Sequence, residues 1–468
     1  MTTRPIAAGP SRRQWILFAC LFALSLPAVT PRIYSSDEIQ YFAFLRSFWF
    51  DRDLSFENEY RYFYDRGVAR SEGFHETFLE RTTDTGRRIN FGTIGCAILW
   101  SPFYAAGHLA AIASGAPRDG FSAPYISAVA YGSAFYGFLA IVLAVRCAQR
   151  LGVTAFGGGL AVWLGTPLLF YMYVAPPFSH ACSGFAVALF TWTWLRARDR
   201  WSPAGMAALG AVGALMAMTR EQDVFFIAGP ALDWLLSQRA DRGHGRRSVL
   251  AVLAAAGCFL ALYTPQLVAY KILNGHFGPH ASVANKMKWY APHALQVLGS
   301  PEHGFFVWTP LAAVALLGLF AAPVSLTGDR VSGARTLARR HAVPLALGTM
   351  ALLQIYIGGS VDSWTVAGGF GQRRFVALTT VMVIGLSWLR AAAAGRARWT
   401  VDAAIVVAVY WNLALTAEFA TGLMDRQRLE PARNAYDAFV TLPRMAPTLA
   451  SRYLFDRQSF YRAHPLSR

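Results

Sequence analysis

Trp15-Ile16-Leu17-Phe18-Ala19-Cys20-Leu21-Phe22-Ala23-Leu24-Ser25-Leu26-Pro27-Ala28-Val29-Thr30 is an apolar run entered through Arg12 and Arg13. A basic flank followed by such a run is either a cleaved signal peptide or a membrane anchor. The anchor is the expected reading, because no clean small-x-small site precedes Pro31 and further apolar runs follow. They lie near 91–113, 122–145, 155–175, 180–195, 203–219, 224–238, 248–270, 305–325, 342–358, 375–390 and 399–418. At about 16–25 residues each, they match a hydrocarbon core of ~30 Å.

Composition points the same way. Of 468 residues 55% are hydrophobic and only 15% charged, against about a quarter charged in soluble chains. These values exclude a disordered chain, a collagen-like repeat and a disulfide scaffold. The net charge of +17 is carried by Arg clusters between apolar runs rather than along one face, so no nucleic-acid partner is expected. Cys20, Cys96, Cys147, Cys182 and Cys258 lie in or beside apolar stretches without CxxC spacing. They are read as packing residues rather than metal ligands or a disulfide framework.

Basic residues in alternate connections set the orientation. One set holds Arg146 and Arg150; Arg196, Arg198 and Arg200; Arg239, Arg242, Arg246 and Arg247; Arg330, Arg335, Arg339 and Arg340; and Arg390, Arg396 and Arg398. The other holds only Arg220, Lys271, Lys286, Lys288, Arg373 and Arg374. The first set is therefore predicted to be cytoplasmic, together with the N-terminus at 1–13. A full crossing by 91–113 would then put Arg146 and Arg150 outside. That segment, with Gly92, Gly95, Pro102 and Gly107, is instead predicted to be juxtamembrane or re-entrant. The expected fold is all-α: a polytopic transmembrane bundle over 14–420 with eleven full spans, an external loop at 31–90 and a short external interfacial tail at 421–468. Twelve spans with an external N-terminus is the alternative.

The unusual polar residues fall on the predicted external side. Ser35-Ser36-Asp37-Glu38 has capping-box spacing and predicts a helix start, followed by the aromatic-rich Tyr41 to Phe50, which suits a membrane–water interface. Asp37 and Glu38 would then sit at a helix N-terminus, where a carboxylate is favoured. As a plain reading, the pair only caps the helix. No Walker loop or strand-GxGxxG-helix unit occurs.

A first span followed by an Asp-Glu pair and a nearby Tyr resembles the membrane-embedded glycosyltransferases of the GT-C fold, among them bacterial enzymes similar to protein O-mannosyltransferases and lipid A aminoarabinose transferases. Gly165-Thr166-Pro167-Leu168-Leu169-Phe170-Tyr171, Ser179-His180, His303-Gly304-Phe305-Phe306-Val307-Trp308-Thr309-Pro310, and Trp364 through Gly368-Gly369-Phe370-Gly371-Gln372-Arg373-Arg374 extend the resemblance over about 14–420. The resemblance implies a bacterial inner-membrane enzyme with its site on the periplasmic face. Its donor would be a polyprenyl-phosphate sugar and its acceptor an envelope lipid, glycan or protein, with membrane lipids as surroundings. Asp37 would be the general base, with Glu38 beside it. A divalent cation is the one cofactor left open, since some branches use the acidic residue as a metal ligand.

Sugar transfer from a lipid phosphate needs a base for the acceptor proton and fixed positive charge for the departing phosphate. Against 40 Arg the chain has three Lys, all within 271–288. Lys286 and Lys288 are candidate phosphate ligands, with Trp289 and Tyr290 holding the loop at headgroup level, whereas Lys271 reads as snorkelling. Arg373 and Arg374 precede a span, where the helix dipole disfavours cations unless an anion joins them. Gly358, Gly359, Gly368, Gly369 and Gly371 are candidates for bringing backbone N–H groups to that anion. His180 and Tyr41 complete the candidate substrate-binding set. Arg220-Glu221-Gln222-Asp223 reads as a self-paired turn. The rival class is a transporter or flippase for a lipid-linked or anionic solute; no internal repeat supports it.

Overall fold

Backbone hydrogen bonds have no water to satisfy them inside a bilayer, so a chain this apolar must close them within helices. The computed structural model describes residues 11–240, 245–325, 334–366 and 368–456, and among these every regular element is helical. Most of the predicted cytoplasmic N-terminus, the far end of the tail, and Arg242 and Arg330 lie outside the described residues. Among the described residues, six segments are long and apolar enough to cross a membrane: Gly95–Ser114, Ala123–Arg150, Val249–Asn274, His341–Ser360, Arg373–Ala392 and Gly395–Thr421. Shorter apolar helices lie at Phe156–Gly165, Pro203–Thr219 and Pro310–Ala321. The chain is a multi-pass helical membrane protein by these criteria.

One segment differs from its sequence reading. The run at 155–175 is not one helix but two, Phe156–Gly165 and Leu168–Tyr173. Pro167 disfavours helical geometry in the residue before it, and Thr166 is extended at φ −135°, ψ 164°. The Gly95–Ser114 helix is continuous despite Pro102. The Tyr136 hydroxyl donates to the Leu99 carbonyl at 2.8 Å beside the proline, and small adjustments of this kind let bundles keep proline.

The position of Gly95–Ser114 matters more than its length. Its first turn rests on the last turn of Pro203–Thr219, where a Cβ on Gly95 would lie 2.4 Å from Met218 backbone. From there it flanks only the N-terminal half of Ala123–Arg150: Trp100 Nε1 donates to Ser133 Oγ at 2.8 Å, and Gly107 abuts Pro124 and Ala128. The other half of that long helix packs on the first helix, Arg12–Ser25, through Phe22 stacked on Phe138 at 4.3 Å and Arg146 over Trp15 at 4.6 Å.

Small residues set the closest helix crossings, as expected where dispersion rather than water drives packing. A Cβ on Gly210 would lie 2.0 Å from the Ala255 carbonyl oxygen, and one on Gly318 1.9 Å from that of Gly385. The main core is this Ala-, Val- and Leu-rich bundle. A second, aromatic cluster joins Ile39, Phe42, Phe44, Phe56, Tyr60 and Phe63 to Trp100, Tyr104 and Tyr125. It anchors the segment 33–91 onto the Gly95–Ser114 helix and so fixes where Asp37 lies.

Candidate functional site

The Ser36–Arg46 helix begins as its capping-box spacing predicts. Ser35 Oγ accepts the Glu38 N–H, while Glu38 Oε2 accepts the N–H groups of Tyr34 at 2.8 Å and Ser35 at 2.9 Å. This turns Glu38 into the protein, where burial outweighs these hydrogen bonds and pushes its carboxyl up to about 8. Consecutive helix residues point about 100° apart, so Asp37 faces the other way. Its Oδ2 accepts from Arg373 Nη2 at 2.9 Å, on the wall of a cavity of about 700 Å³.

Arg373 lies with its guanidinium 5.1 Å from the Phe178 ring. Arg374, the next residue, turns to Ser363, donating to its carbonyl at 2.9 Å and its hydroxyl at 3.2 Å. Both line the cavity, as do Arg220, Lys286 and Tyr41. Burial pushes the Tyr41 hydroxyl up to about 12, so it remains a neutral donor or acceptor.

Arg220 is the residue that sequence reasoning assigned elsewhere. It does not pair with Glu221 or Asp223: Nη1 donates to Ser179 Oγ at 3.1 Å and to His180 Nδ1 at 2.9 Å, and Nη2 to Gln222 Oε1 at 3.2 Å. Asp223 instead accepts from Ser183 Oγ at 2.6 Å in the interior. Glu221 lines the cavity, and burial pushes it up to about 7. The helix end at Thr219 puts Arg220 in extended backbone, φ −152°, ψ 123°, which aims its side chain across the bundle rather than along the turn. The sequence signal was an Arg directly after an apolar run with no basic neighbour.

The remaining candidates lie off the cavity. His180 is buried between Tyr171 and Phe178, with ring centroids at 4.4 and 5.6 Å, and meets the cavity only through Arg220. Lys288 turns outward to Asp362 at 3.6 Å and the Asn285 carbonyl at 3.2 Å. Glu38 faces inward, as above. The glycine segments serve the protein itself: Gly368 N–H donates to Gln427 Oε1, Gly369 N–H to the Val366 carbonyl, and the Gly359 carbonyl accepts from His293 N–H. Gly371, at φ +57°, packs 2.8 Å from Pro167 Cγ measured from an added Cβ. These glycines let loops approach each other, and the N–H groups named are not free for an anion.

Much of the remaining cavity wall is apolar. Phe259, Tyr263, Leu267 and Tyr270 line it from one face of the Gly245–Asn274 helix, spanning about 16 Å at 1.5 Å per residue. Val224, Phe225 and Ile357 line it as well. A divalent cation does not suit this donor set. Among the described residues no three His, Cys, Asp or Glu side chains cluster, and Asp37 is engaged by a guanidinium among further cations. No family model matches the chain, and no curated protein matches it either. Functional assignment therefore rests on the cavity's own chemistry.

Proposed function

We propose that the protein is a GT-C-type integral membrane glycosyltransferase that moves a sugar from a polyprenyl-phosphate donor to an envelope acceptor on the periplasmic side of a bacterial inner membrane. The observation that carries this reading is a single cavity lined by two acids, Asp37 and Glu221, by four cations, Arg220, Lys286, Arg373 and Arg374, and by the Phe259–Tyr270 apolar stripe. A headgroup charge and a long apolar tail are the two properties such a surface recognises together. The eleven-span topology belongs to the same proposal. It is supported by Gly95–Ser114 abutting the end of Pro203–Thr219 rather than running beside the whole bundle.

In this reading the cations hold the phosphate and the stripe holds the prenyl chain. The acceptor hydroxyl oxygen attacks the anomeric carbon, and its proton passes to Asp37. The bond from that carbon to the phosphate oxygen breaks, and the phosphate leaves with the electron pair, stabilised by guanidiniums already in position. Arg373 is the partner of Asp37 in the free protein, so its engagement by phosphate releases the carboxylate for the acceptor proton.

The test is release of polyprenyl phosphate from a sugar-loaded carrier by the purified protein. Asp37→Asn, shown to be folded and inserted, is expected to slow release by about 10²–10⁴-fold. Full activity in that variant would remove the base assignment. Carrier binding with no release by the wild type is the behaviour of a transporter or flippase and would overturn the enzyme reading. Impermeant labelling of Cys introduced at 37, 288 and 373 tests the topology, which requires all three on the external side.

A further inference from the structure

Arg220 stands among carboxylates and pairs with none of them. Glu221, the next residue, lines the same cavity, and Asp37 on that cavity is taken by Arg373. Asp223 is buried and close enough to feel the Arg220 charge, and its Oδ1 has no partner among the described residues; its other oxygen accepts from Ser183 Oγ instead. Every acceptor that Arg220 does use is neutral: Ser179 Oγ, His180 Nδ1 and Gln222 Oε1.

The shortest of these contacts, 2.9 Å, is to His180. A guanidinium has N–H donors and no acceptor, so Nδ1 receives the hydrogen bond and the imidazole is the neutral Nε2–H tautomer. An imidazolium there would set a second cation against Arg220. The ring is held from both sides, 4.4 Å from Tyr171 and stacked 5.6 Å from Phe178. Tyr171 is fixed in turn by the Phe370 N–H, which donates to its hydroxyl at 3.0 Å. The Arg373 guanidinium lies 5.1 Å from the same Phe178 ring, so one aromatic pile supports both arginines.

An ion pair would anchor Arg220 as firmly, but it would cancel most of its charge. Neutral acceptors hold the guanidinium and leave that charge to the cavity. Arg374 feels the charges of both Arg373 and Arg220, so the three guanidiniums share one field. Holding a cation away from water without a counter-ion is costly to the free protein, and the cost is relieved when an anion enters.

We propose, building on the glycosyltransferase reading, that His180 is a positioning residue. Its neutral imidazole holds Arg220 on the cavity wall, away from Glu221 and Asp223, and so keeps the guanidinium charge available to an anion. His180 itself touches no substrate in this role. Gln222 assists: its Nε2 donates to the Arg374 carbonyl at 3.3 Å, which ties the Arg220 anchor to the turn Arg373–Leu378.

Asn and Asp both place Oδ1 where histidine carries Nδ1, and both remove the ring from between Tyr171 and Phe178. The difference between His180→Asn and His180→Asp therefore isolates charge. In the purified full chain His180→Asp is expected to pair with Arg220 and to bind polyprenyl monophosphate about tenfold more weakly than His180→Asn, the loss of about one charged hydrogen bond. Labelling by phenylglyoxal without lipid, followed at Arg220 by peptide mass spectrometry, should be slower in His180→Asp than in His180→Asn, because a carboxylate shields the guanidinium and opposes its deprotonation. Arg198, paired with the buried Asp233, is the internal control, since unfolding in either variant would speed its labelling. Equal labelling of Arg220 in the two variants overturns the positioning role, as does equal affinity where the wild type binds the lipid. No lipid binding by the wild type overturns the glycosyltransferase reading, and the labelling difference alone then upholds or overturns the role of His180.

Discussion

The two charged walls of the cavity are built in different ways. One, formed by Asp37, Arg220 and Arg373, stands on helix ends packed into the bundle, and its groups are tied to Ser179, His180, Gln222 and to each other. The other, formed by the 281–290 loop and Ser363, is open: Tyr290 is 87% exposed and Trp289 44%. Its ion pair, Lys288 with Asp362, is about half exposed on both sides. A reacting group must be held to within a fraction of an ångström, whereas a loop that meets lipid headgroups must adapt. Under the proposed function, the difference suits the first wall to chemistry and the second to donor recognition.

Arg220→Gln is the sharpest way to break that division. It removes a guanidinium from the ordered wall and leaves His180 and Ser179 without their donor, so transfer should fall by about a hundredfold, the range for losing one preorganised electrostatic donor. A loss no larger than that of Lys286→Gln in the same release assay would show that the two walls do equivalent work.

Glu38→Gln probes the ordered wall without touching the cavity. The Glu38 carboxyl, raised to about 8 in the folded protein from 4.5, binds its proton more tightly when folded. Its contribution to stability is therefore complete below about pH 4.5 and is lost as pH rises through 8. The glutamine keeps an acceptor for the Tyr34 and Ser35 N–H groups and does not titrate. Thermal melts from pH 5 to 8 should show a shallower decline in Tm for the variant than for the wild type, with transfer activity at pH 6 little changed. Parallel declines would show that Glu38 is not the titrating group.

The smallest effect is expected at Lys288→Gln. Exposed ion pairs contribute about 0–1 kcal/mol, and Lys288 faces away from the cavity. Stability and carrier binding should both stay within about twofold, in contrast to Lys286, two residues away. An effect on binding equal to that of Lys286→Gln would extend the cation set to the outer face of the loop.

Much of this was legible without coordinates. The apolar runs announced a multi-pass helical chain, and the Ser35–Glu38 spacing announced both the helix start and the role that turns Glu38 inward. The break at Thr166-Pro167 was also written in the chain, in the constraint proline puts on its predecessor, although a hydropathy window passes over it. Arg220 was not legible, because its direction depends on where the Pro203–Thr219 helix ends relative to His180. Lys286 and Lys288 were indistinguishable by composition. They separate because Lys286 keeps helical geometry at the end of the Ala281–Asn285 helix, while Lys288 N–H pairs with the Ser360 carbonyl.

By itself, then, the amino-acid order determined that this chain buries its backbone in helices suited to a bilayer and that acidic and basic residues gather in the connections between them. Apolar transfer and local hydrogen bonding settle such features within a dozen residues. Only the tertiary structure decided that Asp37 meets Arg373 across more than three hundred residues of chain, that Arg220 joins them and that Lys288 does not. Those outcomes follow from the packing of distant helix ends, which no local pattern encodes.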